Sequence, residues 1–329
     1  MKRSDSERKV GISTTIPLEP FLASDRVPVD LNNLFISSGS PNAMVEDAQV
    51  EGYPRNICTW IKGIHTASEN IDTIVGVVRG DCSNTESLLE TLLRKGKKVH
   101  PFSYPLNRDR NELISEIRAL CGLLGTGIDS ARDQAGRLEE LRKLAREVDR
   151  IRWMEGTISS EDAHLVQVTS SDLNSDPKAW ERWVEGILDG PDHSPEPGPR
   201  LGFIGVPPII SDIYPRIQDL GGRVVFHEVQ RQFTMPSGST DWIQRYIDYT
   251  YPYNIDSRIV DVRTEIDKRD IQGILHYTQS FCHRQIDDMI FRKELDVPIL
   301  TIEGNLPGPM DERNQIRLEA FLDVLEAGH

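Results

Sequence analysis

Two aliphatic runs dominate the hydropathy pattern, and each gives way at once to polar residues and a single cysteine. One is IDTIVGVVRGDCSN, Ile71 to Asn84; the other is IQGILHYTQSFCHR, Ile271 to Arg284. Short continuous runs rich in Val and Ile predict strands buried on both faces, as in parallel sheets. Beyond Cys82 and beyond Cys282 the pattern turns helical. A cysteine at such a junction lies near amide N–H groups and the positive end of a helix dipole, which favours thiolate over thiol. The carboxyl ends of parallel strands are also where an open α/β sheet presents its ligand crevice.

In chain order, the first nine residues are polar and are expected to fray. VGISTTIP from Val10 and RVPVDL from Arg26 read as strands, with a short helix or turn between them. Residues 31–53 read as irregular, with Gly39, Ser40, Pro41 and Asn42 as loop signals. NICTWIKGIHTASE, containing Cys58, has a helical apolar face of Ile57, Trp60, Ile61 and Ile64. After the first cysteine strand, Ser83 or Asn84 can cap a helix that buries Leu88, Leu89, Leu92 and Leu93 and ends at Gly96. KKVHPFSYP follows as a strand. Residues 109–153 predict two strong helices, with more helix at 160–168 and 176–188. The Arg-rich face of 137–152 reads as solvated. The stretch 189–200, DGPDHSPEPGPR, is the clearest candidate boundary.

Beyond that break the pattern restarts. RLGFIGVPP answers KVGISTTIP, GGRVVFHE answers DRVPVD, the second cysteine strand answers the first, and LDVPILTIEG answers GKKVHPFSYP. Four elements recurring in order point to an internal duplication, although any two βαβ domains share some of this pattern. The expected fold class is α/β: two doubly wound parallel-sheet domains with a helical segment between them. The expected division is a first α/β domain at 1–108 with Cys58 and Cys82, a helical segment at 109–190, and a second α/β domain at 191–329 with Cys282.

Composition narrows the function. The 329 residues carry a formal net charge of −14, which argues against bulk binding to nucleic acid. No apolar run is long enough to span a membrane. The charged start, MKRSDSERKVG, has no apolar stretch after it, so a cytoplasmic protein is expected. There are four cysteines, at 58, 82, 121 and 282, and no CxxC. A cytoplasmic setting disfavours disulfides, and any shared site must be assembled by the fold. Cys121 lies on an apolar helix face with Leu113, Ile117, Leu120 and Leu124 and reads as core. Cys82 and Cys282 have polar neighbours. From spacing alone, a shared metal site and separate packing roles are equally open.

The stretch from His276 to Leu325 resembles the 2-hydroxyacyl-CoA dehydratase D-component family, which includes benzoyl-CoA reductase subunits. The resemblance rests on Gln279-Ser280-Phe281-Cys282, on Val297-Pro298-Ile299-Leu300 with Glu303, and on Gln315, Arg317 and Glu319 to Leu322. GVPPIISDIYPRIQDLGGRVVFHE is similar to the opening of the family's second domain. DTIVGVVRGDCSNTESLLETL and NICTWIKG are similar to its two first-domain cysteine segments. The resemblance implies a [4Fe-4S] cluster held by Cys58, Cys82 and Cys282, with one iron lacking a protein ligand. Soft thiolates suit such clusters, and an open coordination position suits a substrate oxygen. It further implies an acyl-CoA substrate, a homologous subunit as partner in a homo- or heterodimer, and an ATP-dependent activator protein that injects one electron. The expected reaction is radical elimination of water from a 2-hydroxyacyl-CoA, by way of a ketyl radical. The chain has no GxxxxGK[ST] motif, which fits ATP chemistry on a separate protein.

Residues 34–56 match no family substrate contact, so no acid, base or CoA-binding residue is assigned. His283, Gln279, Arg79 and Glu228 lie near the expected crevice and are candidates only; a histidine beside a ligand cysteine is more often a supporting hydrogen-bond group. His65, His100 and His276 have no partner in the pattern. Two other readings stand beside the dehydratase. One is a non-catalytic iron–sulfur electron-transfer or accessory protein. The other is a structural zinc site, which three cysteines suit poorly because structural zinc takes four ligands.

Overall fold

The computed structural model describes residues 8–190 and 197–327. Most of the expected frayed start, and the middle of the Pro- and Gly-rich break, lie outside the described residues. The chain divides into two compact units. The first comprises Met1–Lys143, Thr169–Arg182 and Phe233–Asn254; the second comprises Leu144–Val168, Trp183–Gln232 and Ile255–His329.

In the first unit, strands β1 (Lys9–Ile12), β2 (Val27–Asp30), β3 (Thr73–Arg79) and β4 (Lys98–Ser103) form one parallel sheet in the order β2-β1-β3-β4. Val10, Ile12, Ile74, Val75 and Val77 are fully buried, which is the burial a parallel strand requires. Its helices include α1 (Leu31–Ile36), α2 (Thr59–Ala67), α3 (Asn84–Arg94) and α4 (Arg110–Leu124). Further along come α5 (Ile128–Met154), α6 (Ser160–Thr169) and α7 (Pro177–Leu188).

The second unit repeats the plan. Strands β5 (Arg200–Gly205), β6 (Arg223–His227), β7 (Gly273–Thr278) and β8 (Ile299–Glu303) are parallel, in the order β6-β5-β7-β8. Helices α8 (Ile213–Asp219), α9 (Glu228–Gln232), α10 (Ile255–Arg269), α11 (Asp287–Glu294) and α12 (Glu312–Ala327) belong to it. Ile204, Phe226, Val262, Ile274 and Phe291 form the centre of its core. The fold is α/β, as the hydropathy pattern predicts, and the four stretches that answer one another in sequence occupy corresponding strands. In each unit the cysteine strand is the third, beside the first, where strand order reverses.

Leu93, expected in the buried face of α3, is 57% exposed, and two larger expectations fail. Residues 31–53 are not irregular. α1 starts at Leu31, with the Asp30 carboxylate accepting from Asn32 N–H, and a second helix spans Pro41–Val50. Pro41 is a start signal there rather than a breaker, because a first-turn proline lacks an N–H the helix would leave unpaired anyway. The Arg-rich face of α5 is also not uniformly solvated. Arg142 and Arg152 are buried. Arg142 meets Glu19 Oε1 at 3.3 Å and donates to the Tyr246 hydroxyl, while Arg152 Nε donates to Val224 O at 2.8 Å. Asp149, on the same helix, takes both Nη groups of Arg269 at 2.9 and 2.6 Å. Periodicity marks where side chains point; it does not distinguish a paired buried arginine from a hydrated one.

The end of β2 holds a buried carboxylate pair. Asp172 accepts from Asp30 N–H at 2.7 Å and from Asn174 N–H at 3.0 Å. Leu173, Asn174 and Ser175 all have left-handed backbones, a conformation that asparagine tolerates but that is uncommon for leucine and serine. Burial, and then the charge of Asp30, push Asp172 up to about 7. A folded pKa raised above the unfolded value adds stability below about pH 4, and that contribution is lost as pH rises through 7. Asp172→Asn is therefore expected to flatten the fall in urea midpoint between pH 4.5 and 8. An unchanged pH dependence in the variant would contradict this.

Candidate functional site

Cys82 and Cys282 occupy matching positions, each just past the third strand of its unit. In the first unit, β3 ends at Arg79 and the chain turns through Gly80 and Asp81 into α3. Ser83 precedes the helix, but its side chain makes no capping bond. Instead Asn84 N–H points at Cys82 Sγ at 3.4 Å, and Thr85 N–H donates to Cys82 O at 3.0 Å. The sulfur is thus offered an amide donor at a helix start, an environment that stabilises thiolate. Cys58 directly precedes α2, and Lys62 N–H donates to its carbonyl at 3.3 Å. The Lys62 side chain is buried, with Nζ donating to Arg55 O at 3.0 Å. Burial lowers the pKa of its ammonium while the charge of Cys58 opposes that shift, so a cation sits within electrostatic reach of Cys58.

Gly80 sets the geometry of this turn. Its φ is +99°, and a Cβ there would lie 2.7 Å from Pro252 Cβ and 2.8 Å from Pro252 O. The facing segment is aromatic: Tyr249, Tyr251 and Tyr253 are buried, and Tyr251 donates to Asp81 Oδ1 at 3.2 Å. Gly80→Ala combines left-handed strain with a backbone clash, at a cost of roughly 2–5 kcal/mol. The variant is expected to lose that much in a urea titration; a loss under 1 kcal/mol would mean the turn does not need glycine.

In the second unit, Gln279 is buried and Cys282 closes a tight turn, its N–H donating to Gln279 O at 3.1 Å. Cys282 also starts a short 3-10 helix, His283–Ile286. Phe281, just before it, has φ +63° and is 67% exposed. The turn is tied down on two sides. Ser280 N–H donates to Asn305 Oδ1 at 2.7 Å, and Ser280 Oγ to Glu303 Oε1 at 2.7 Å. On the other side, buried Arg258 donates to both oxygens of Glu228, at 2.5 and 2.9 Å, and to Asp287 Oδ2 at 2.6 Å. Glu228 also accepts from Gly205 N–H at 3.0 Å. Burial pushes the Glu228 carboxyl up, but the adjacent guanidinium outweighs this and holds it below the usual range. His276 donates from Nδ1 to Asp288 Oδ1 at 2.7 Å, which fixes α11 to β7.

The sequence candidates therefore separate. Glu228 is a buried ion-pair partner that carries the Cys282 turn. Gln279 belongs to the turn itself. His283 and Arg79 are exposed beside their cysteines. Cys121 is buried in α4, where burial pushes its thiol up. Of the histidines without an expected partner, His65 contacts Glu51 and Tyr53, His276 pairs with Asp288, and His100 Nε2 has no partner among the described residues. Lys62 and the Tyr249–Tyr253 segment had gone unassigned; the alternation of tyrosines around Pro252 was a usable signal.

A cavity of about 570 Å³ opens beside the Cys282 turn, lined entirely by residues of the second unit. Thr278, Gln285 and Glu303 line it together with Arg313 and Arg317. No three His, Cys, Asp or Glu side chains group into a metal-holding set among the described residues. No described helix is long and apolar enough to cross a membrane.

A model of the 2-hydroxyglutaryl-CoA dehydratase D-component family matches residues 13–325. The chain belongs to that family. The match takes in both cysteine turns and all but the beginning of the first sheet. It supports a 2-hydroxyacyl-CoA dehydratase-like subunit that works with a partner component on an acyl-CoA substrate. D-components are generally iron–sulfur proteins. Among curated protein sequences, none matches the chain.

Proposed function

We propose that this D-component family member is an oxygen-sensitive 2-hydroxyacyl-CoA dehydratase subunit. Cys58, Cys82 and Cys282 would hold a [4Fe-4S] cluster. What supports the reading most is the match over residues 13–325 together with the position of Cys82 and Cys282 after the third strand of each sheet.

The donor chemistry suits the group, since thiolates are the ligands iron–sulfur clusters take. All three cysteines are partly exposed and each precedes a helical turn; Cys121, the remaining cysteine, is buried core. When bound, such a cluster supplies one-electron chemistry and a Lewis-acidic iron with a position open to substrate oxygen. The chain's own residues do the holding. Asn84 N–H donates to Cys82 Sγ, and buried Lys62 offsets negative charge near Cys58. The Glu228–Arg258–Asp287 set and the Ser280–Glu303–Asn305 set keep the Cys282 turn in one conformation. The partner would be a homologous subunit, and the electron would come from a separate ATP-hydrolysing activator.

The test is calorimetric titration of anaerobic, iron-loaded protein with 2-hydroxyacyl-CoA thioesters, followed by assay for the enoyl-CoA with partner subunit and activator. Saturable binding and loss of water are expected. Failure to bind any thioester would favour the electron-transfer or accessory role.

A further inference from the structure

The cavity beside the Cys282 turn is lined by two arginines, Arg313 and Arg317, and two carboxylates, Glu303 and Asp311. Arg313 and Arg317 are one helical turn apart on α12. Both arginines line the same cavity as the loop from Gly304 to Asp311. Like charges at this spacing repel. Among the described residues neither forms an ion pair; Arg317 Nη1 reaches only Asn314 Oδ1, at 3.5 Å.

The carboxylates take their hydrogen bonds from neutral donors, although the charge of Arg313 also reaches Glu303. Glu303 accepts from Ser280, Asn305 and Gln285. Asp311 accepts from the backbone and side chain of Asn314 at the start of α12. Ile210, Leu306, Pro307 and Pro309 add an apolar stretch to an otherwise mixed wall. The volume, about 570 Å³, falls in the range of small-ligand pockets.

We propose that this cavity binds a small organic anion, its carboxylate or phosphate end held by Arg317 and Arg313 and its short apolar body against Leu306 and Pro309. A planar guanidinium matches either oxyanion through paired N–H donors. An anion between the two arginines also removes their mutual repulsion. The site requires no cluster, so it stands apart from the proposed dehydration.

Calorimetric titration of the metal-free chain at low salt, with glutarate in one series and propyl phosphate in another, tests the site. At least one probe is expected to saturate at one per chain, and the preferred probe identifies the source as a carboxylic acid or a phosphoester. Arg317→Gln and Arg313→Gln should each weaken binding roughly tenfold, the worth of a lost charged hydrogen bond. Lys293→Gln, on α11, should leave it unchanged. Arg313 is exposed, so its variant is not expected to perturb folding. No saturation by either probe, or binding as tight as wild type in both arginine variants, would overturn the proposal. Iron content of the arginine variants, measured separately, should equal wild type, which separates this site from cluster binding.

Discussion

Arg258→Leu is expected to cost the second unit about 3–5 kcal/mol, the usual result of leaving a buried charge uncompensated. Arg258 and Glu228 are each only 1% exposed in their side chains, and Arg258 holds Asp287 as well. With the guanidinium gone, Glu228 keeps the Gly205 N–H as a donor. The pH dependence should then change sign. In the wild type the Glu228 carboxyl is held below its usual range, so its contribution is present above about pH 4 and lost on acidification. In the variant, burial is opposed only by the Gly205 N–H and the charge of Arg284 and is expected to raise that pKa, so stability should fall as pH rises above about 4. Arg258→Leu combined with Glu228→Gln should recover much of the loss, because the charge is removed with its partner. Urea titrations at pH 5 and 8 measure both effects. A loss below about 1 kcal/mol for the single variant, set against the 3–5 expected for a broken buried pair, would show that the pair does not brace the Cys282 turn.

On the proposed ligand set, Cys82→Ala and Cys282→Ala should each abolish retention of the cluster. A cluster held by three thiolates has none to spare, and each remaining cysteine pair is a weak chelate. Iron per chain after anaerobic gel filtration is expected to fall to near zero in both variants. The fold should survive, because both thiols are partly exposed and their removal leaves little cavity. Cys121→Ala serves as the counterpart: it should keep its iron but lose stability, since that side chain is buried in α4. Iron loss in Cys121→Ala, or full retention in Cys82→Ala, would reverse the assignment.

The sheets were legible because parallel strands are buried on both faces and must be apolar throughout. Val10, Ile74, Phe203 and Ile274 announce themselves for that reason. The repeated strand order was legible as four answering stretches, since each unit repeats the same burial demand. Polar burial was not legible. Arg142, Arg152, Arg258 and Glu228 look like surface residues in a hydropathy pattern, and only the fold brings their partners to them. Pro41 was misread because proline breaks a helix interior but favours a first turn. The cysteine turns could be located from strand ends alone. Lys62 could not, because nothing in its neighbourhood of the chain marks it as buried.

Iron and acid-labile sulfide per chain, measured on anaerobically purified protein with electron paramagnetic resonance before and after dithionite, test the central claim most directly. The account predicts about four irons with matching sulfide and a paramagnetic signal that appears on one-electron reduction. Stoichiometric zinc, or protein free of iron and sulfide, would contradict it. In that case the cysteine turns after β3 and β7 would belong to a family member that has left cluster chemistry behind.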